Sequence, residues 1–219
     1  MPRRHYSERG FTLLELLAVV AIFTALATLG LGVGGRALKE ADKADSVARL
    51  RTLGSAIHLY AAEHDQVLPG PLWPGQVMLY DVARDGRLVR DLAEYLNIEN
   101  KTRPYLVERM IPRAYHKAMH RTKMEDARVY LVNTGVVIDG QTRQPFGSLT
   151  SSPVLPSMKL SALRSLPAQE NWMACEADQL HPYVATAPWK ANTPALPVHD
   201  GRRALVRFDG SVDLEKTTP

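Results

Sequence analysis

Cys175, His199 and Asp209 are the residue types of a thiol-nucleophile triad, in which a histidine takes the sulfur's proton and a carboxylate orients the ring. Their spacing does not make them converge, and no local signature surrounds Cys175. The plainer expectation is a buried thiol and two turn residues, and the chain is expected not to be an enzyme. Oxygen donors for calcium occur at Asp139, Gln141 and Thr142, or at Glu176 and Asp178, but neither set has the ligand density of a calcium loop. His58 and His64 are six positions apart, so they do not share a helical face as an i, i+4 zinc pair would. No metal and no cofactor is expected. Residues 101–123 carry Lys101, Arg103, Arg109, Arg113, Lys117, Arg121 and Lys123 around His116 and His120, opposed only by Glu108. Such a run suits phosphates or acidic glycans, with Arg109, Arg113, Lys117 and Arg121 as the candidate contacts and Tyr105 and Tyr115 able to stack on bases. A solvated charged face is the commoner use of such a run, and lipid head groups are a third partner class.

One acidic residue stands where it needs a partner. Phe11 to Val33 is apolar apart from Glu15 and, as a helix, reaches about 35 Å, enough to cross a bilayer. A carboxylate inside such a span costs a few kcal/mol. An oligomeric bundle supplies a counter-charge that lipid cannot. Two simpler readings compete. A secretory signal has a shorter apolar region, about 7–15 residues, and Ala25-Leu26-Ala27 has the small-residue form of its cleavage site. A plain single-pass anchor has no use for the glutamate. Ahead of the run, Arg3, Arg4 and Arg9 outnumber Glu8, whereas Arg36, Lys39 and Lys43 beyond it are matched by Glu40, Asp42 and Asp45. The positive-inside tendency therefore keeps the N-terminus cytoplasmic and places the remainder outside.

The elements that must position these residues are legible in part. Between Arg36 and His64 there is no proline, and Leu38, Ala41, Ala44, Val47, Ala48, Leu50, Leu53, Ile57, Tyr60 and Ala61 form a stripe at helical spacing. Ser46 is expected off that stripe. Gly30, Gly32, Gly34 and Gly35 weaken the junction with the apolar run, where a bend or loosened turn is expected. Pro69-Gly70-Pro71 and Pro74-Gly75 end the helix. A short helix is expected over Val89–Asn97. Arg128–Asp139 reads as β with a break at Thr134-Gly135 and a turn at Asp139-Gly140. Residues 145–169 read as loop, and Trp172–Cys175 as a short buried strand. Arg202–Phe208 and Ser211–Leu214, joined by Asp209-Gly210, form a hairpin in which Ala204, Val206 and Phe208 share a face. Asp209-Gly210 is explained by the positive φ of a tight turn, and His199 is expected to cap the preceding turn or pack on the hairpin. The fold class is α+β, a long N-terminal helix on a small antiparallel sheet. Its lone cysteine excludes a disulfide framework, and 27 basic against 23 acidic residues, net +4, select no partner.

Arg9-Gly10-Phe11-Thr12-Leu13-Leu14-Glu15 resembles the type IV prepilin cleavage signature, a basic stub, a glycine, an aromatic residue and a glutamate four positions on. The resemblance implies cleavage between Gly10 and Phe11 by a prepilin peptidase, N-methylation at Phe11, and pairing of Glu15 with a neighbouring subunit's terminal amine. His199, followed after nine residues by Asp209-Gly210, resembles the H-X9-DG terminal motif of many prepilin-type proteins. Gly201, Phe208 and Val212 also match, while Ser211 stands where that group often has a second histidine. Leu53, Tyr60, Asp65 and Pro69 resemble its post-membrane helix. These likenesses cover the two ends and leave about 70–198 without a nameable motif. Their implied organisation is a leader at 1–10, a transmembrane helix at 11–34, its amphipathic continuation at 35–66 and an extracytoplasmic domain at 67–219. Implied partners are the peptidase, other pilins or pseudopilins in a homo- or hetero-oligomeric filament, an assembly ATPase and an inner-membrane platform. The function so implied is that of a structural subunit, a type II secretion pseudopilin or minor pilin, in the inner membrane. The alternative is a membrane-anchored DNA- or glycan-binding minor pilin that uses residues 101–123.

Overall fold

A computed structural model describes residues 11–119, 124–167 and 170–217, with backbone alone at 29–33. The chain divides into two compact units, Met1–Ala41 and Asp42–Pro219. Helix α1, Leu13–Glu63, is continuous through the glycine-rich junction. In the first unit its apolar side chains are bare: Leu13 is 83% exposed, Leu16, Leu17, Ile22 and Phe23 are exposed too, and Phe11 just before the helix is 81% exposed. Among the described residues no helix is long and apolar enough to cross a membrane. The transmembrane reading of 11–34 therefore rests on the sequence pattern.

In the second unit, α1 buries Ser46, Leu50, Leu53, Ala56, Ile57 and Ala61. This corrects the expected stripe. Ala44, Ala48 and Leu38 are exposed, and Ser46 lies in the face that Leu50 and Leu53 define. Spacings of four and three carry that face back from Leu50 to Ser46, so geometry overrides the hydroxyl's polarity. Left-handed residues at Asp65 (φ 51°) and Gln66 (φ 66°) end the helix, and the Gln66 amide reaches back 2.8 Å to the Ala61 carbonyl.

The main sheet has five antiparallel strands. In spatial order they are β1 (Gly75–Gln76), β4 (Tyr130–Val132), β7 (Trp172–Glu176), β8 (Arg202–Arg207) and β9 (Val212–Lys216). Two ribbons flank it: β2 (Leu79–Tyr80) with β3 (Tyr105–Leu106), and β5 (Val136–Ile138) with β6 (Gln141–Arg143). The expected break at Thr134-Gly135 is real and divides β4 from β5, which enter different sheets. Asp139 (φ 52°) and Gly140 (φ 72°) close the β5–β6 hairpin. Helix α2 covers only Leu88–Asp91, shorter than the expected Val89–Asn97, because turns take over at Leu92. Short helices α3 (Arg113–Ala118) and α4 (Pro182–Ala185) complete the fold.

One face of the sheet meets α1. Met173, Ala174, Ala204, Val206 and Phe208 join Leu50, Leu53 and Ile57 in the large core, and the shared face of Ala204, Val206 and Phe208 is as expected. Gly54 permits the close approach: a Cβ there would stand 2.7 Å from Cγ2 of Val206. Leu131, Cys175, Ala177, Val184 and Leu205 form a smaller cluster, with Trp172 and Trp189 packed on it.

Candidate functional site

The chemistry at the N-terminus is built on a helix start. Thr12 precedes α1, and its amide and hydroxyl each lie 2.9 Å from Oε2 of Glu15, donating to it. The Glu15 amide returns a 3.3 Å bond to the Thr12 hydroxyl. This is a capping box, Thr12-Leu13-Leu14-Glu15, which satisfies amides that a helix start leaves unpaired. The T-x-x-E spacing makes it readable, yet reading Glu15 only as an acid in need of a partner passes over it. Gly10 and the residues before it lie outside the described residues.

At the other end of the chain, His199 has a role that spacing could not reveal. Its Nε2 lies 2.8 Å from the Ser46 hydroxyl on α1 and 3.3 Å from Oε1 of Glu176 on β7. The Ala204 amide donates to Oε2 of the same carboxylate at 3.1 Å. All three side chains are at most 3% exposed. A proton relay needs the two ring nitrogens to face nucleophile and carboxylate separately. Here one nitrogen faces both, so the cluster joins helix, strand and hairpin as a docking point. No local pattern connects Ser46 and Glu176 to it, because they come from elements about 153 and 23 positions away.

The remaining motif residues shape a turn. Gly210 takes φ 88°, but Asp209 does not share the positive φ expected of the pair. Its Oδ1 instead accepts from the amide and hydroxyl of Ser211 at 2.9 and 2.7 Å, which holds its carboxyl below the usual range. Positive φ belongs to the preceding turn as well, at Asp200 (53°) and Gly201 (76°).

Cys175 is buried, and burial pushes its thiol up to about 12. Strand alternation puts it on the opposite face of β7 from Glu176 and its partner His199. Asp178, once a calcium candidate, is held by both Nε and Nη2 of Arg203 at 2.7 and 2.9 Å. His64 stacks on Tyr60 at 3.9 Å. Burial lowers the His58 pKa, ahead of a contribution from Arg164. Among the described residues no group of three His, Cys, Asp or Glu is placed to hold a metal ion.

The basic stretch docks on α1. Lys117 pairs with Asp42 at 2.5 Å, and the Arg113 amide donates to Asp45 at 3.0 Å. Arg49 of α1 donates to the Arg109 carbonyl, and the Arg109 side chain donates to the carbonyls of Leu96 and Asn97. Lys101 meets Glu99 at 2.7 Å. Arg113 is exposed, while Arg121 and Lys123 lie outside the described residues. A cation run seen in the sequence thus spends several members on the chain's own acceptors.

The chain matches the family described as the prokaryotic N-terminal methylation motif over residues 6–31. That match marks its N-terminus as type IV pilin-like and as a substrate of prepilin processing. No curated protein and no solved structure matches the chain.

Proposed function

We propose that this chain is a structural subunit of a type IV pilus-like or type II secretion filament, closer to a pseudopilin or minor pilin than to a major pilus protein. One observation carries the reading: the methylation motif coincides with the start of a helix whose described large apolar side chains from Leu13 to Leu26 are exposed. Exposed apolar surface of that kind is matched by lipid before assembly and by neighbouring helices after it. In this scheme residues 1–10 are the leader, 11–34 the transmembrane part and 35–66 its continuation. Residues 67–219 are the extracytoplasmic domain of an inner-membrane protein.

The chemistry belongs to the partners. A prepilin peptidase cleaves between Gly10 and Phe11 and methylates the new amine, while the chain itself catalyses nothing. Glu15 waits in its capping box, where two donors from Thr12 lower the cost of a carboxylate in lipid. In the filament it meets the amine of a neighbour, as an ATPase and its membrane platform drive extraction.

Intact mass and N-terminal sequencing of membrane-extracted protein test the processing step. The expected start is N-methyl-Phe11, and a retained Met1 refutes it. Glu15→Ala is expected to leave processing intact and to abolish incorporation into filaments. Normal incorporation of that variant would sink the assembly mechanism.

A further inference from the structure

Two arginines in the second unit are half-buried, with part of their hydrogen-bonding capacity unused. The Nε atoms of Arg87 and Arg128 are both inaccessible to solvent and without a partner. Among the described residues neither guanidinium has a carboxylate within ion-pair distance. Asp81, a neighbouring acid, is bound to Arg84 at 3.1 Å. Arg87 reaches only the Gly75 carbonyl, at 3.5 Å. Burial, then the charges of Arg128 and Arg84, brings the Arg87 guanidinium down to about 10, and burial also lowers Arg128. Both remain cationic at neutral pH. Such groups are costly unless an anion joins them.

They line one cavity of about 530 Å³, within the size range of clefts that enclose a small ligand. Trp73, Tyr183 and Trp189 line it too, along with Gln144. The rings are seated on glycines. A Cβ at Gly75 would stand 2.8 Å from the Trp189 ring, and one at Gly86 would stand 2.8 Å from Cδ1 of Trp73. Arg128 lies 5.9 Å from the Trp189 centroid. Trp73 and Tyr183 nonetheless remain substantially exposed.

This combination narrows the ligand. A neutral apolar molecule would leave two cations with no contacting carboxylate in a drier site. A bare inorganic anion would use neither the volume nor the rings. A ring-bodied molecule carrying an anionic group uses both. Tyr183 and Trp189 are tilted by 39° with centroids 6.3 Å apart, an open wall and not a parallel slot for a planar base. The C–H face of a sugar packs on single aromatic faces of this kind, and the Gln144 amide is available to its hydroxyls. We infer that this cavity binds an acidic saccharide, its carboxylate held by Arg87 and Arg128 and its ring packed on Trp189 and Trp73.

Two of the chain's three tryptophans line the cavity, so intrinsic fluorescence reports on it directly. Full-length protein in detergent is titrated with a galacturonic acid trisaccharide, an uncharged galactose trisaccharide, sodium sulfate and adenosine monophosphate. Saturable fluorescence change is expected with the acidic trisaccharide, weakening as salt rises. Affinity for each of the other three is expected to be at least tenfold lower. Arg87→Gln and Arg128→Gln should each lose tenfold or more in affinity with no fall in melting temperature, since neither guanidinium is in an ion pair. Gly75→Ala should weaken binding by displacing Trp189. The inference is overturned by equal affinity for the neutral sugar, sulfate or nucleotide. Absence of saturation up to millimolar acidic sugar, or unchanged affinity in both arginine variants, overturns it equally.

Discussion

Gly54→Ala sets two physical effects against each other within one helix. Replacing glycine by alanine in an open helical position gains up to about 1 kcal/mol. At Gly54 the new methyl would lie 2.7 Å from Cγ2 and 3.8 Å from Cβ of Val206, and 3.7 Å from Cε of Met173. Val206 cannot step aside cheaply. It is β-branched, fully buried, and paired on one edge with Ala174 and on the other with Val212. Overpacking of this kind costs about 1–3 kcal/mol. Set against the propensity gain, the expected result is a loss of roughly 1 kcal/mol, which for a chain of this size lowers the melting temperature by about 2–4 °C. Gly35 is the control, because nothing lies within 4 Å of the Cβ it would acquire. Gly35→Ala should leave the thermal transition unchanged or raise it. Pairing Gly54→Ala with Val206→Ala removes the clashing methyl. The double variant should therefore be more stable than the sum of the two single losses, by about 1 kcal/mol. Thermal unfolding of the full chain in detergent, followed by near-ultraviolet circular dichroism, compares these four variants with the parent. A higher melting temperature for Gly54→Ala would refute the close-approach argument.

Two further outcomes are expected from the same assay. Burial, then Arg203, brings His181 down to about 4 from its ordinary 6.5, and its Nδ1 accepts the Tyr183 amide at the start of α4. The folded state thus binds fewer protons than the unfolded one between those values. Its contribution is complete above pH 6.5 and is lost as pH falls toward 4, and His181→Asn should flatten the melting temperature across that window. An unchanged pH profile would count against the buried-acceptor account. His199→Ala strands the Ser46 hydroxyl and the Glu176 carboxylate in the core and should cost about 1–3 kcal/mol. A melting temperature equal to the parent's would show that the cluster does not dock helix and sheet.

The sequence by itself determined the local and periodic features. Apolar spacing from Leu50 to Ala61 marked the buried helix face, Asp-Gly pairs marked both hairpins, and Thr134-Gly135 marked the division of β4 from β5. Each depends on residues within a few positions of one another, where backbone sterics and side-chain period act without knowledge of the rest. The T-x-x-E capping box was equally local. Tertiary structure alone decided the partners. Ser46 entered the core because Leu50 and Leu53 fixed which way the helix turned, and His199 and Glu176 met it from distant strands. Lys117 became an anchor to Asp42 rather than a free cation, and Arg87 joined Arg128 beside two tryptophans that no spacing connects. Burial and pairing of such groups depend on which surfaces meet across the sheet. That is a property of packing in three dimensions, and no window along the chain contains it.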